Sequence, residues 1–229
     1  MVVKTKLTEH HLLELYHYSH KFLLDNYEHT LIDESKIIDS HIRYGSIKIP
    51  DIIALNNIID IQNINSYLEI GSYIGLSFHV FMHMFQPEVG YSIDPNITHR
   101  IFNYPRIMFN KLNKKFIDNN KVKILDGFFR GHIQPTPIKI YKSEDFDRKF
   151  DCIFIDGLHD YYSVQQDFLE AAKLLNKNGI ILLHDIYSWD GVRKLCRDLD
   201  FHYDWSIIKT PKEQSIDGFA IVRSNKNIL

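Results

Sequence analysis

Asp156, His159 and Asp160 stand together just after the apolar run FDCIFI (150–155), and His184 and Asp185 close a second run, GIILLH (179–184), and continue from it. If these runs are adjacent strands, Asp156 and Asp185 face each other across one opening. Two such carboxylates repel unless a proton or a cation lies between them, and a hard divalent ion such as Mg²⁺ is the economical solution. Asp160 immediately precedes a helical pattern starting at Tyr161, so it is assigned to the helix cap. His159, on a polar loop three residues beyond Asp156, stays at the mouth of the opening as a candidate for chemistry. His184 alternates with Asp185 along its strand and is expected to point the other way, as a structural residue.

A second group lies upstream in YLEIGSYIGLSF (67–78), where an apolar run reaches Glu69, turns at Gly71 and meets Gly75 as helical periodicity begins. Glycine there permits a tight turn and close approach of backbone to a ligand. The next strand ends YSIDPN and puts Asp94 where an acid can accept both hydroxyls of a ribose, although Asp before Pro95 is also an ordinary turn residue. With Tyr73 at the middle position, the stretch lacks the G-x-G-x-x-G of dinucleotide binding. Leu76, not lysine, follows the second glycine, so it is no triphosphate loop either.

The elements that must position these residues follow from periodicity. Short apolar runs at 66–70, 89–93, 122–125, 150–155 and 179–184 alternate with helical patterns at 75–86, 97–118, 161–176 and 188–199. Such alternation predicts an α/β, Rossmann-like doubly wound sheet, mostly parallel, with helices on both faces. FHYDWSIIK (201–209) and DGFAIVR (217–223) are joined by too few residues for a crossover helix, which predicts an antiparallel C-terminal hairpin. Helices are expected over 7–29 and 51–62, giving an N-terminal helical extension (1–62) that serves as cap or oligomer contact before the main domain (63–229). The stretch 130–149 reads as a surface loop near the ligand.

Bulk properties narrow the function classes. The 229 residues carry 27 Lys and Arg against 29 Asp and Glu, a formal net charge of −2. With basic residues dispersed, nucleic acid is not an expected partner. Cys152 and Cys196 make no disulfide framework, and Cys152 in its apolar run is expected as a buried reduced thiol. No apolar stretch reaches membrane-spanning length and the N-terminus has no signal core. A cytoplasmic setting is expected.

The combination has a family match. Glu69-Ile70-Gly71-Ser72-Tyr73-Ile74-Gly75 resembles the first motif of class I S-adenosylmethionine-dependent methyltransferases, and the Tyr73 form is similar to the catechol O-methyltransferase branch. Asp156-Gly157-Leu158-His159-Asp160-Tyr161, followed by a helix and by Gly179 through His184-Asp185-Ile186, resembles the family of macrolide-sugar O-methyltransferases and cephalosporin-biosynthesis proteins. The resemblance implies S-adenosylmethionine as cofactor, with Glu69, Gly71, Ser72, Tyr73, Gly75 and Ser77 around its methionine part and Asp94 on its ribose. Asp126 and Phe128 (or Phe129) would meet the adenine, and Asp156 would touch cofactor as well as metal.

The same resemblance implies Mg²⁺ or another divalent cation on Asp156 and Asp185, with His159 as general base. Ile186 replaces the asparagine that supplies a third ligand in the catechol branch. Two aspartates with substrate oxygens then remain, or a transition metal that adds His159 or His184. The expected reaction is O-methylation of a small-molecule acceptor, a sugar, glycoside or catechol-like phenol. A degenerate cofactor-binding module and a NAD-linked oxidoreductase are the rival readings. Homo-oligomerisation through the N-terminal helices is open.

Overall fold

The computed structural model describes residues 3–32, 34–132, 134 and 136–225. Seven strands form one sheet: β1 (Ser66–Ile70), β2 (Val89–Asp94), β3 (Val122–Asp126), β4 (Phe150–Ile155), β5 (Leu175–His184), β6 (Trp205–Lys209) and β7 (Phe219–Ser224). Their order is β3-β2-β1-β4-β5-β7-β6. The first five are parallel, while β7 runs antiparallel between β5 and β6. The doubly wound sheet and its closing hairpin are as the alternating runs predict. Every residue of β1 is buried, because helices cover both faces of the sheet, and this is why its sequence shows no polar alternation. Ile70 lies opposite both Ile93 and Ile155, so β1, β2 and β4 end level. The direction of winding reverses between β1 and β4, which opens a crevice at their carboxyl ends.

The helices are α1 (Glu9–Asp25), α2 (Ser35–Tyr44), α3 (Ile49–Ile58), α4 (Leu76–Phe85), α5 (Arg106–Leu112), α6 (Lys114–Asp118), α7 (Tyr161–Lys173) and α8 (Asp190–Asp200). The single helix expected over 97–118 is instead two short ones after an irregular segment. Pro105 disfavours helix in the residue before it, and Tyr104 indeed sits at φ +53°. Asn113 ends α5 by turning its side-chain amide onto the carbonyls of Phe109 and Gly75. The stretch 130–149 is irregular apart from a short turn at Ser143–Asp145; Ile133 and Pro135 lie outside the described residues. Cys152 and Cys196 are buried and free. Among the described residues no helix is long and apolar enough to cross a membrane.

Thr8 caps α1 by accepting the His11 N–H, and Pro50 occupies the first turn of α3, where its missing N–H costs nothing. Leu12, Leu23, Ile38, Ile42, Ile52 and Leu55 of the N-terminal helices join one continuous core with Tyr67, Phe78, Phe81 and Phe219. Asp51, fully buried, accepts the N–H groups of Ile216 (2.7 Å) and Gly218 (2.9 Å), so α3 is fastened to the turn that leads into β7.

Candidate active site

A cavity of about 600 Å³ occupies the crevice at the strand carboxyl ends. A smaller hollow of about 420 Å³ lies at the opposite end of the strands, against Asp60, Asp151 and Asn176. There the Asp151 carboxylate is consumed by donors from Asn65, Ser66 and Asn176, so it holds structure together and offers no chemistry.

At one end of the main cavity the chain leaves β1 through Gly71 (φ +89°) and Gly75 (φ +85°), both in the left-handed region that favours glycine. A Cβ on Gly71 would run into the Asp156 carbonyl; one on Gly75 would meet the Phe109 ring at 2.6 Å and the Asn113 amide at 2.7 Å. Asp94, at the end of β2, accepts the Tyr73 N–H (2.8 Å) on one oxygen and the Asn96 N–H (2.9 Å) on the other. Gly71, Tyr73, Asp94, Phe128, Phe129 and Asp156 all line the cavity.

The remaining residues expected around the cofactor do not line the cavity. Glu69 is fully buried, with Tyr67 and Ser77 hydroxyls donating to its carboxyl. Ser72 pairs with Ser92, which also receives a guanidinium N–H of the buried Arg106, and the same guanidinium holds Asp126 at 2.9 Å. Glu69, Ser72, Gly75 and Ser77 therefore brace the corner from beneath instead of facing the cavity, and Asp126, tied to Arg106, is exposed outside the cavity lining.

Burial pushes the Glu69 carboxyl up to about 8, against the lowering effect of its two hydroxyl donors. A raised folded-state value means that the folded protein holds the proton more tightly than the unfolded chain. This contribution to stability is complete below the ordinary glutamate value of about 4.3 and is lost as pH rises through about 8. Glu69→Gln should remove a slope of up to about 1.4 kcal/mol per pH unit within that window. The measurement is chemical denaturation of both proteins across the range; parallel curves would contradict it.

Beside Gly71 in the same cavity, Asp156 follows β4 and Asp185 follows β5. His159 Nε2 lies 2.7 Å from Asp185 Oδ2 and 3.4 Å from Asp156 Oδ1, and its ring stacks on Trp189 with centroids 5.1 Å apart. Asp160 caps α7 by accepting the Ser163 N–H at 3.0 Å. His184 does not point away. Its Nδ1 lies 3.3 Å from Asp156 Oδ1 and 3.6 Å from Asp185 Oδ1. The alternation rule fails because Asp185 has φ +62°. The chain is no longer extended there, and both side chains turn into the same cleft. Residue spacing alone carries no signal of that turn.

A family model described as a methyltransferase domain matches residues 68–186, just over half of the chain. The chain belongs to this methyltransferase family. No curated protein sequence matches it. Among solved structures it is similar to the Podospora anserina methyltransferase PaMTH1 bound to S-adenosylhomocysteine (16% identity, TM-score 0.55, covering 98% of this chain and 91% of that one). It is also similar to an O-methyltransferase from Bacillus cereus in complex with S-adenosylhomocysteine (14%, 0.52, 98% and 94%). A third is the O-methyltransferase TomG from Streptomyces achromogenes, involved in tomaymycin synthesis, in complex with S-adenosylmethionine (13%, 0.52, 99% and 93%). At these identities the likeness is one of fold, that of class I S-adenosylmethionine-dependent methyltransferases.

In this methyltransferase the acidic end of the cavity is strongly polarised. Burial by itself would lower the His159 imidazole, but hydrogen bonds to Asp156 and Asp185 raise it to about 10. Burial likewise opposes the proton on His184, yet the Asp156 charge carries it to about 9. Asp156, which burial alone would raise, is held well below the usual carboxylate range by these two imidazoles. The pair of aspartates thus requires positive charge close by. One ligand atom each from Asp156, His184 and Asp185 lie within 4.8 Å of one another, a donor set that fits a divalent cation. His184 Nε2, on the far side of the ring, is buried without a hydrogen-bond partner among the described residues, and one His184 ring nitrogen lies within 4.8 Å of carboxylate oxygens of Asp51 and Asp217. Lys48 answers the Asp217 charge at 2.7 Å. Asp51, Asp217 and Lys48 carry no motif, and only the fold brings them here.

Proposed function

We propose that the protein transfers the methyl group of S-adenosylmethionine to a hydroxyl of a small acceptor, such as a sugar, a glycoside or a phenol. The observation that carries this reading is that one cavity is lined both by Gly71, Tyr73 and Asp94 and by Asp156, His159 and Asp185. Methyl transfer is an in-line displacement, so acceptor oxygen, methyl carbon and sulfur must be aligned with water excluded. In this reading Asp94 accepts the ribose hydroxyls, while the Gly71 backbone and Tyr73 flank the methionine part. Asp156 and Asp185, with His184, are the residues that would hold a divalent cation. Such an ion supplies Lewis-acid stabilisation of the acceptor oxygen as it loses its proton.

His159 takes that proton on Nε2 when the charge of the aspartates is answered by another cation. Trp189 holds the imidazole by stacking and offers a ring to the acceptor. The N-terminal segment enters the same reading. Gly45, Ser46 and Lys48 line the cavity, which supports a role for residues 1–62 in covering the acceptor end.

The test is calorimetric titration with S-adenosylhomocysteine, with Mg²⁺ or EDTA present and NAD as control. Binding of S-adenosylhomocysteine but not of NAD is expected, with additional metal heat that disappears in Asp185→Ala. Binding of neither would overturn the methyl-donor reading, and metal heat that survives the substitution would overturn the cation site.

A further inference from the structure

Asp167 is a buried acid that nothing above uses. It lies on the second turn of α7 with 3% of its surface exposed, yet it contributes to the wall of the main cavity. Its Oδ1 accepts the Gly131 N–H. Its Oδ2 has no hydrogen-bond donor among the described residues. That oxygen lies 3.5 Å from where a Cβ on Gly157 would stand, at the edge of the cavity between the loops that follow β3 and β4. The Phe128 and His132 rings stack with centroids 3.8 Å apart and planes 10° apart, and they share the cavity lining with Ile93, Phe129 and Leu158.

This aromatic and apolar lining suits a flat, uncharged ring, and the unpaired carboxylate oxygen of Asp167 in the same lining calls for a donor. If Asp94 holds the ribose, the base of the cofactor extends along the cavity toward this lining. Adenine carries only one donor group free of the ribose, its exocyclic amine. We infer that Asp167 is a specificity residue for the adenosyl group, its Oδ2 accepting a hydrogen bond from the exocyclic amine of the base. This inference rests on the cofactor reading given above. Burial pushes the Asp167 carboxyl up to about 7 against the lowering effect of the Gly131 N–H, the behaviour of an acid short of donors. Asp126, the acid expected for this task, is instead held by Arg106.

The geometry sets a discriminating test. Gly131 approaches so closely that a Cβ there would stand 2.5 Å from Asp167 Oδ2 and 2.6 Å from the Ser163 carbonyl. The carboxyl is thereby fixed in orientation. In Asp167→Asn the amide oxygen must keep the Gly131 N–H, which puts the amide nitrogen where Oδ2 was. That group donates, so it opposes the adenine amine and suits the carbonyl of hypoxanthine. Calorimetry of wild type and variant with S-adenosylhomocysteine and S-inosylhomocysteine reads this out.

The wild type should bind the adenosyl compound about 10- to 100-fold more tightly, and the variant should lose or reverse that preference. Equal wild-type affinities overturn the inference without recourse to any variant. A parallel loss of both ligands in Asp167→Asn also overturns it, because that is how a merely structural anchor of the Gly131 loop would behave. Absence of wild-type binding by either compound is a separate failure: it removes the cofactor reading and this inference with it.

Discussion

Exchange of His159 for Gln is expected to slow methyl transfer by about 10²- to 10⁴-fold, the usual worth of a positioned general base, while affinity for S-adenosylhomocysteine stays as in the wild type. Glutamine is close to histidine in reach, and its amide can still donate to Asp185. What it lacks is a site that takes up a proton at ordinary pH. The separation of effects follows from the contacts: His159 lies against Asp185 and Trp189, whereas Asp94 at the end of β2 holds the Tyr73 N–H. The assay compares both proteins on any hydroxyl acceptor that the wild type turns over, and calorimetry supplies the affinity. A variant with undiminished turnover would remove the base role. One that loses cofactor affinity along with turnover would make His159 a structural residue.

Gly71→Ala is the second large effect. At φ +89° an L side chain costs about 1–2 kcal/mol from the backbone alone. The added Cβ would also strike the carbonyl of Asp156 and lie 2.7 Å from its carbonyl carbon. Neither partner is a flexible side-chain tip. Asp156 donates its N–H to the Ile70 carbonyl at 2.9 Å, so displacing one strand end displaces the other. The substitution should weaken S-adenosylhomocysteine binding by about 100-fold or more and lower the melting temperature by several degrees, as about 2 kcal/mol of strain would. Unchanged affinity would mean that the corner carries no part of the cofactor site.

The parts of the architecture legible in the residues were those set by local rules. β1, β2 and β4 stand out because burial on both faces leaves short, mostly apolar runs without a strict polar alternation. Asp160 declares itself as a cap by its place before Tyr161. The segment Ser35–Tyr44 was overlooked although Ile38 and Ile42, one helical turn apart, are both fully buried. Other features were beyond local reading because they arise from long-range packing. The Glu69 carboxyl turns inward to Tyr67 and Ser77, and Arg106 captures Asp126. His184 joins the aspartates only because the backbone turns at Asp185. Asp167 meets the cavity through Gly131 and Gly157, distant in sequence and with no shared pattern.

The fastening of Asp51 to Ile216 and Gly218 spans 165 and 167 residues of chain, and β7 slides between two strands made before it. During synthesis the ribosome can therefore release the parallel half of the sheet, with Asp94 and Asp156 in place, while the acceptor end is still missing Asp217. Contacts between residues so far apart form late and slowly. A nascent chain halted before residue 216 would lack Asp217 in the cavity wall and the Ile216 and Gly218 N–H groups that Asp51 accepts. The order of translation thus completes the Asp217 part of the cavity wall last.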